Sequence, residues 1–90
     1  MKQYHFFISG NVQGVYFRAN TLRKARELNV KGWVRNLDDG RVEVVAQGAP
    51  LTINEFVKFL RKGPYGAIVE DFQSSEEDTS EVFTSFEIKY

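Results

Sequence analysis

The residues with the clearest chemical potential lie in a glycine-containing loop near the start of the chain. The segment Gly10–Arg18 reads GNVQGVYFR and leads from an alternating apolar stretch into a helical pattern. Its two glycines allow successive backbone N–H groups to turn inward, and the start of the helix adds further free N–H groups and a favourable dipole. Arg18 opposes that dipole, but its planar guanidinium can bind two phosphate oxygens at once. These features are compatible with an anion site at the start of the helix.

An ordinary strand-to-helix turn with a surface arginine would have the same sequence features. The loop is not a Walker motif, because no Lys or Arg followed by Ser or Thr comes after the second glycine, and it is not a dinucleotide fingerprint. The loop alone leaves both interpretations open.

A second candidate is Asn36, at the end of the segment Gly32–Gly40. It shares strand parity with Val34, which we place on the helix-covered face of a sheet. An amide on that face needs a partner, or it costs about 1–3 kcal/mol. Either the local backbone of the turn satisfies Asn36, or its amide positions a water molecule beside the loop.

The elements that must position these residues follow from hydrophobic periodicity and turn signals. Apolar alternation predicts five strands, at Tyr4–Ser9, Gly32–Leu37, Arg41–Gln47, Ala67–Ser74 and Phe83–Tyr90. One helix is expected over Arg18–Asn29, with an apolar stripe of Ala19, Leu22, Ala25 and Leu28. A second helix is expected after Thr52, which with Glu55 has the spacing of a capping box. The acidic segment Glu76–Glu81 is predicted to be a solvated loop.

The order β-α-β-β-α-β, followed by a short fifth strand, predicts a ferredoxin-like α+β fold with two helices on one face of an antiparallel sheet. The first helix is a crossover, so the first two strands run parallel with the third between them. Their carboxyl ends then share one edge of the sheet. We therefore expect the Gly10–Gly14 loop and the Arg35-Asn36 pair to meet there.

Composition limits the classes of protein that the chain can represent. Its 90 residues fit one domain spanning 1–90, and the absence of cysteine excludes disulfides, thiolate metal sites and cysteine nucleophiles. Twelve basic and twelve acidic residues give no net charge, which argues against broad nucleic-acid binding. No apolar run approaches a membrane span and no signal peptide is recognisable, so we expect a cytoplasmic protein.

Charge is nonetheless distributed unevenly along the chain. Residues 1–45 hold eight basic and four acidic side chains, and residues 46–90 hold four basic and eight acidic ones. The halves either form complementary solvated surfaces, or the first half holds an anion site.

The two motifs together resemble both signatures of the acylphosphatases. These are Gly10-x-Val12-Gln13-Gly14-Val15-x-Phe17-Arg18 and Gly32-Trp33-Val34-x-Asn36-x-x-x-Gly40-x-Val42-Glu43. The resemblance continues through Gly48, Gly63-Pro64, Ala67 and Val69 to Phe86-x-Ile88-x-Tyr90, and so covers nearly the whole chain. It implies hydrolysis of acyl phosphates to carboxylate and inorganic phosphate. In this family the loop arginine binds phosphate and the asparagine orients water, roles that fall here on Arg18 and Asn36. The resemblance also implies that the loop backbone supplies an N–H cradle for the phosphate, formed by Val12, Gln13, Gly14, Val15, Tyr16, Phe17 and Arg18.

Such a reaction needs few catalytic groups. The carboxylate leaving group has a pKa near ~4–5 and departs without a general acid. The phosphoryl transition state needs mainly positioning and charge stabilisation, which backbone N–H groups and one arginine can provide. We therefore expect no metal and no cofactor, with inorganic phosphate and sulfate as competitive ligands. His5 is expected to point outward, Arg35 to be solvated, and acyl contact by Tyr16 or Phe17 remains open.

Two rival functions share the fold. Acylphosphatase-like modules also occur inside larger carbamoyl-transfer maturation proteins, so a non-catalytic module that binds phosphate or carbamoyl phosphate is one alternative. RNA-recognition domains have the same element order, but their aromatic motif lies on the third strand, whereas Lys31–Val34 lies on the second. A free-standing monomeric enzyme without nucleic-acid or membrane partners remains the main prediction.

Overall fold

Strands and helices follow one another in the order that the periodicity predicts. The computed structural model describes all 90 residues. The strands are β1 (Lys2–Asn11), β2 (Lys31–Asn36), β3 (Val42–Gln47), β4 (Ile68–Asp78) and β5 (Phe86–Ile88), and the helices are α1 (Phe17–Glu27) and α2 (Pro50–Lys62). Neither helix is long and apolar enough to cross a membrane.

The five strands form one sheet in the order β4-β1-β3-β2-β5. β3 pairs antiparallel with both β1 and β2, and β4 pairs antiparallel with β1. β1 and β2 are therefore parallel on either side of β3, as predicted, and their carboxyl ends share an edge. The short β5 differs from the other strands because it runs parallel to its neighbour β2. The arrangement is the expected ferredoxin-like α+β fold.

The hydrophobic core joins the two helices to one face of the sheet. Phe56 of α2 packs edge-to-face on Phe86 of β5, with 5.9 Å between ring centroids. All six residues of β3 are buried. The remaining core side chains are Phe6, Ile8, Val12, Phe17, Ala25, Val30, Val34, Ile53 and Leu60.

The buried stripe of α1 differs from the predicted one. The helix begins at Phe17, and its buried residues are Phe17, Thr21 and Ala25, at spacings of four. Ala19 is exposed, whereas Leu22 and Leu28 pack partly against the core. The large Phe17 ring enters the core and sets the rotation of the helix, which turns Ala19 away from the sheet.

The predicted capping box at Thr52 and Glu55 is wrong. α2 begins at Pro50, its N-cap is Ala49, and no side chain caps it. Proline is favoured at the first helical position because its ring presets φ and its missing N–H group would have no intrahelical partner there. The helix therefore starts two residues before Thr52.

The predicted solvated loop Glu76–Glu81 is wrong over its first half. Glu76, Glu77 and Asp78 belong to β4, opposite Tyr4, Gln3 and Lys2 of β1. The Lys2 ammonium lies 2.7 Å from the Glu76 carboxylate, and the Gln3 amide donates to Glu77 at 2.6 Å. The early start of β1 thus supplies both the backbone partners and the polar side chains that order this acidic segment.

The sheet face opposite the helices carries a buried carboxylate. Glu43 of β3 is only 6% exposed, and its oxygens lie 2.6 Å from both His5 Nε2 and Arg35 Nε. Burial raises the pKa of the Glu43 carboxyl, but hydrogen bonds with His5 and Arg35 outweigh it and hold the pKa below its usual value. His5 lies on the predicted face, where it is half-buried and stacks on Phe7 at 4.7 Å. Arg35 is exposed, as predicted, but it also pairs with Glu43.

Candidate active site

The glycine loop leaves β1 at a point where only glycine fits. The pairing of β1 with β4 shifts register between Ser9 and Gly10, and Gly10 has a φ of 128°. A Cβ at Gly10 would lie 2.1 Å from the carbonyl oxygen of Ile68. The close approach of the β4 backbone and the left-handed conformation together require glycine here. The chain is thereby redirected from the strand into the loop.

The loop is anchored at both ends by side chains in the core. Val12 is fully buried and Phe17 is 2% exposed. Between them, Tyr16 is the N-cap of α1 and has a φ of 61°, a left-handed conformation that is rare for a bulky residue. Its carbonyl oxygen accepts hydrogen bonds from both the backbone N–H and the side-chain amide of Asn20. The loop therefore has a defined shape before any ligand binds.

The backbone of this loop offers unused hydrogen-bond donors. None of the N–H groups of residues 12–16 donates to another group of the protein. They lie at the amino end of α1, whose first turn contains no acidic side chain. Free N–H groups and the positive end of a helix dipole are the usual components of an anion site in proteins.

A cleft of about 340 Å³ opens beside the loop at the shared edge of the sheet. It contains both Arg18 and Asn36, the two residues predicted to carry chemistry. The residues that line it are Val12, Gly14, Tyr16, Phe17, Arg18, Ala19, Asn36, Ile88 and Tyr90. Five of the seven predicted cradle residues are thus at its wall. Gln13 and Val15 are not: Val15 packs against the core, and the Gln13 side chain turns toward the β2–β3 hairpin.

The guanidinium of Arg18 is available to an anion. It forms no salt bridge, and its central carbon lies 5.1 Å from the centroid of the Tyr90 ring. An aromatic face holds an arginine in place without neutralising its charge. Arg18 therefore brings an uncompensated positive charge to the donor-rich loop.

Asn36 presents an unused acceptor. It is the last residue of β2, pairs with Val42 of β3 and is half-buried. Its side-chain oxygen Oδ1 is buried and has no hydrogen-bond partner. Satisfaction of this atom by the local turn, the alternative that the sequence left open, does not occur. A buried acceptor without a partner costs about 1–3 kcal/mol, a cost that a bound water or ligand would remove.

Sequence reasoning missed the contribution of the last strand to the cleft. Ile88 lies opposite Val34 of β2, and Tyr90 follows two residues later, near the level of Asn36. The alternation of Phe86, Ile88 and Tyr90 was visible in the sequence, but not the strand beside which it would lie. The aromatic side chains at the opening are those of Tyr16 and Tyr90, which are 80% and 98% exposed.

The cleft contains no group suited to proton transfer at neutral pH. Arg18 and two tyrosines have the only titratable side chains that line it, and no histidine, aspartate or glutamate is among the lining residues. The chain has no cluster of three or more His, Asp or Glu side chains that could hold a metal ion. The site can bind an anion through N–H donors and one guanidinium and can hold a water molecule through an amide oxygen.

Fold and cleft together define a ferredoxin-like α+β protein with a cationic, donor-rich loop at the carboxyl edge of its parallel strand pair. Residues 4–88 match the family model described as Acylphosphatase. An acylphosphatase from Marinobacter nauticus is 46% identical over 86 residues, which cover 96% of this chain and 94% of that protein. The chain therefore belongs to the acylphosphatase family.

Solved structures agree with this assignment. The crystal structure of acylphosphatase from Bacillus subtilis superimposes with a TM-score of 0.95, at 37% identity and with both chains fully covered. HypF from T. kodakarensis is also similar, with a TM-score of 0.87 and 33% identity, but this chain spans only 12% of that protein.

Proposed function

We propose that this protein hydrolyses acyl phosphates to carboxylate and inorganic phosphate, with Arg18 and Asn36 as its catalytic residues. Family membership supports the reaction. The observation that supports the site is that one cleft contains an unpaired guanidinium and a buried amide oxygen without a partner, beside a loop whose backbone N–H groups at residues 12–16 are free. These groups match the needs of a tetrahedral anion attacked by water.

In the proposed mechanism the phosphoryl oxygens bind the N–H groups of the loop and the guanidinium of Arg18. Asn36 Oδ1 accepts a hydrogen bond from a water molecule and holds it in line with the scissile P–O bond. The water oxygen bonds to phosphorus while the bond to the acyl oxygen breaks and the carboxylate leaves with its electron pair. The proton of the water passes to a phosphate oxygen of the substrate, because the cleft lacks a general base.

The charge that develops on the phosphoryl oxygens is stabilised by fixed donors. Arg18 and the loop N–H groups are in place before the reaction, so little reorganisation is needed in the transition state. These groups suffice without a divalent ion, and we expect the enzyme to work without metal or cofactor. The apolar rim formed by Tyr16, Ile88 and Tyr90 is where the acyl group would lie.

We expect the chain to act as one domain and as a monomer, to be cytoplasmic, and to bind neither nucleic acid nor membrane. Its balanced charge of twelve basic and twelve acidic residues favours a small-molecule substrate over a polyanion. Inorganic phosphate and sulfate should compete with the substrate.

A hydrolysis assay with benzoyl phosphate and p-nitrophenyl phosphate, each with and without EDTA, tests the function. We expect turnover of the acyl phosphate, little turnover of the phosphate ester, and no effect of the chelator. Activity that disappears with EDTA and returns with a divalent ion would contradict the metal-free mechanism.

A non-catalytic binding module is the second candidate, because the chain is similar to part of HypF. In that case phosphate would bind without any turnover of benzoyl phosphate. Isothermal titration with phosphate beside the same assay separates the two functions.

A further inference from the structure

The side chain of Gln13 ties the glycine loop to the hairpin that follows Asn36. Its amide nitrogen Nε2 donates to the carbonyl oxygen of Leu37 at 2.8 Å and to that of Arg41 at 3.0 Å. Both hydrogens of the amide are therefore used. No other side-chain hydrogen bond joins residues 12–16 to β2, β3 or the turn between them.

The two acceptors, the carbonyl oxygens of Leu37 and Arg41, belong to the residues that close the β2–β3 turn. Leu37 N–H donates to the Arg41 carbonyl at 2.8 Å, so these residues close the turn directly after the Asn36–Val42 pair. Asp39 supports the same turn, because its carboxylate accepts from the backbone N–H of Arg41 at 3.1 Å and from Arg41 Nε at 2.8 Å. The Gln13 amide thus hydrogen-bonds to both sides of this turn. The turn directly follows Asn36, the residue proposed to orient water.

Gln13 itself does not line the cleft. It is flanked by Val12, which is anchored in the core, and by Gly14, which has a φ of 74° and a Cβ position open to solvent. Val12, Val15 and Phe17 pack in or against the core, whereas Gln13 and Gly14 do not belong to it. The two hydrogen bonds to Leu37 and Arg41 tie the Gln13-Gly14 segment to the hairpin that follows β2.

We infer that Gln13 is a positioning residue that sets the distance between the phosphate-binding loop and the water held by Asn36. The inference rests on the proposed function, because it takes the loop as the phosphate site and Asn36 as the water site. Phosphate can bind a loop that has moved as a unit, since the donors move with it. In-line attack cannot tolerate such a movement, and a misplacement of about 1 Å can cost on the order of 100-fold in rate.

This role makes a specific kinetic prediction for Gln13→Met, which keeps the length of the side chain and removes both donors. We expect kcat for benzoyl phosphate to fall about 10- to 100-fold, while the inhibition constant of phosphate changes by less than about threefold. The chain supplies a matched control in Gln47, whose amide donates to Glu81 O at 2.9 Å at the opposite edge of the sheet. Gln47→Met should leave kcat unchanged, even where it lowers the melting temperature.

A double-mutant cycle with Asn36→Ala separates positioning from mere stability. If Gln13 acts by placing the loop relative to the water on Asn36, Gln13→Met should add less than about a threefold loss in the Asn36→Ala background. Should Gln13→Met fail to fold by circular dichroism, Gln13→Asn, which is one methylene too short to reach both carbonyls, replaces it in the same cycle.

The results that would overturn the role of Gln13 differ from the result that would overturn the role of Asn36. Independent, multiplicative losses for the two substitutions would overturn the inference, as would a phosphate inhibition constant that rises in step with the fall in kcat. Near-normal turnover of Asn36→Ala alone would instead overturn the proposed role of Asn36, whatever Gln13 does.

Discussion

At the residue scale, the cleft is distinguished by polar groups that the protein itself leaves without partners. The Asn36 oxygen is one of only two buried side-chain polar atoms without a hydrogen bond, and Arg18 rests on an aromatic ring instead of a carboxylate. Groups of this kind lower the stability of the free protein and are explained by what they bind. Their effects on binding and on rate can be separated by substitution.

Arg18→Lys should lose both binding and catalysis. Lysine keeps the charge but not the planar fork that binds two oxygens, and the guanidinium acts on charge present in the substrate as well as in the transition state. We expect kcat to fall about 100-fold or more and the phosphate inhibition constant to rise at least about tenfold. Arg23→Lys, on an exposed position of the same helix, is the matched control. Retention of phosphate affinity in Arg18→Lys would show that the anion binds elsewhere.

Asn36→Ala should separate rate from binding. Because the amide contacts water and not phosphate in the proposed mechanism, we expect kcat to fall about 100-fold with phosphate inhibition within a few-fold of its original value. The substitution also removes the unpartnered oxygen, so the melting temperature should not fall. Steady-state kinetics and thermal denaturation of the same preparations test both statements. A loss of phosphate binding as severe as that of Arg18→Lys would refute this division of roles.

The sequence could predict that Arg18 and Asn36 lie close together, because Arg18 follows the loop after β1 and Asn36 ends β2, which runs parallel to β1. It could not predict that Tyr90 would support Arg18, since that contact depends on β5 lying parallel beside β2. The pairing of Arg35 could not be predicted for a similar reason. Its partner Glu43 is eight residues away and becomes its neighbour only through the β2–β3 register.

At the scale of elements, two predictions from local patterns were wrong because residues outside the pattern determined the structure. The segment Glu76–Asp78 has the composition of a loop, yet β1 orders it as strand. Thr52 has the sequence of a cap, yet the proline two residues earlier starts the helix. In the first case a partner strand far away in the sequence decided the structure, and in the second a proline just before the predicted cap did.

The bridge between β1, β2 and β3 through Glu43 should make stability depend on pH in the acidic range. Because the pKa of Glu43 is lowered in the folded state, the folded protein binds fewer protons than the unfolded chain there. Its contribution is complete above the ordinary glutamate pKa of about 4.3 and is lost as the pH falls from there through the lower folded value. Glu43→Gln should therefore flatten the pH dependence of the free energy of unfolding between about pH 5 and 3, while costing about 1–3 kcal/mol at neutral pH.

Urea denaturation at several pH values measures this effect. Glu55→Gln is the control, because Glu55 is exposed and pairs only with Lys58 one helical turn away. An unchanged slope in Glu43→Gln would show that acid sensitivity originates in other carboxylates.

At the scale of the whole molecule, binding at the cleft should stabilise the entire fold. The loop is anchored in the core by Val12 and Phe17, so a ligand that binds only the folded loop shifts the global equilibrium. Phosphate at 100 times its dissociation constant should add about 2.7 kcal/mol. For a domain of this size the melting temperature should rise by about 4–8 °C for each kcal/mol.

Differential scanning calorimetry at matched ionic strength, with chloride replacing phosphate, tests this stabilisation. Arg18→Lys should show a much smaller rise. An equal rise in both proteins would mean that phosphate acts through the bulk solvent and not through the cleft.

The burial of every residue of β3 has a consequence for how the molecule opens. The strand lies at the centre of the sheet, flanked by β1 and β2, whereas β4 and β5 form the edges. Edge strands and the termini can fray while the centre stays closed, so amide hydrogens on β3 exchange with solvent deuterium only when the whole domain opens. The exchange rates of those amides therefore measure the free energy of global unfolding. The free N–H groups of residues 12–16, which have no bond to break, report by contrast on the occupancy of the loop alone.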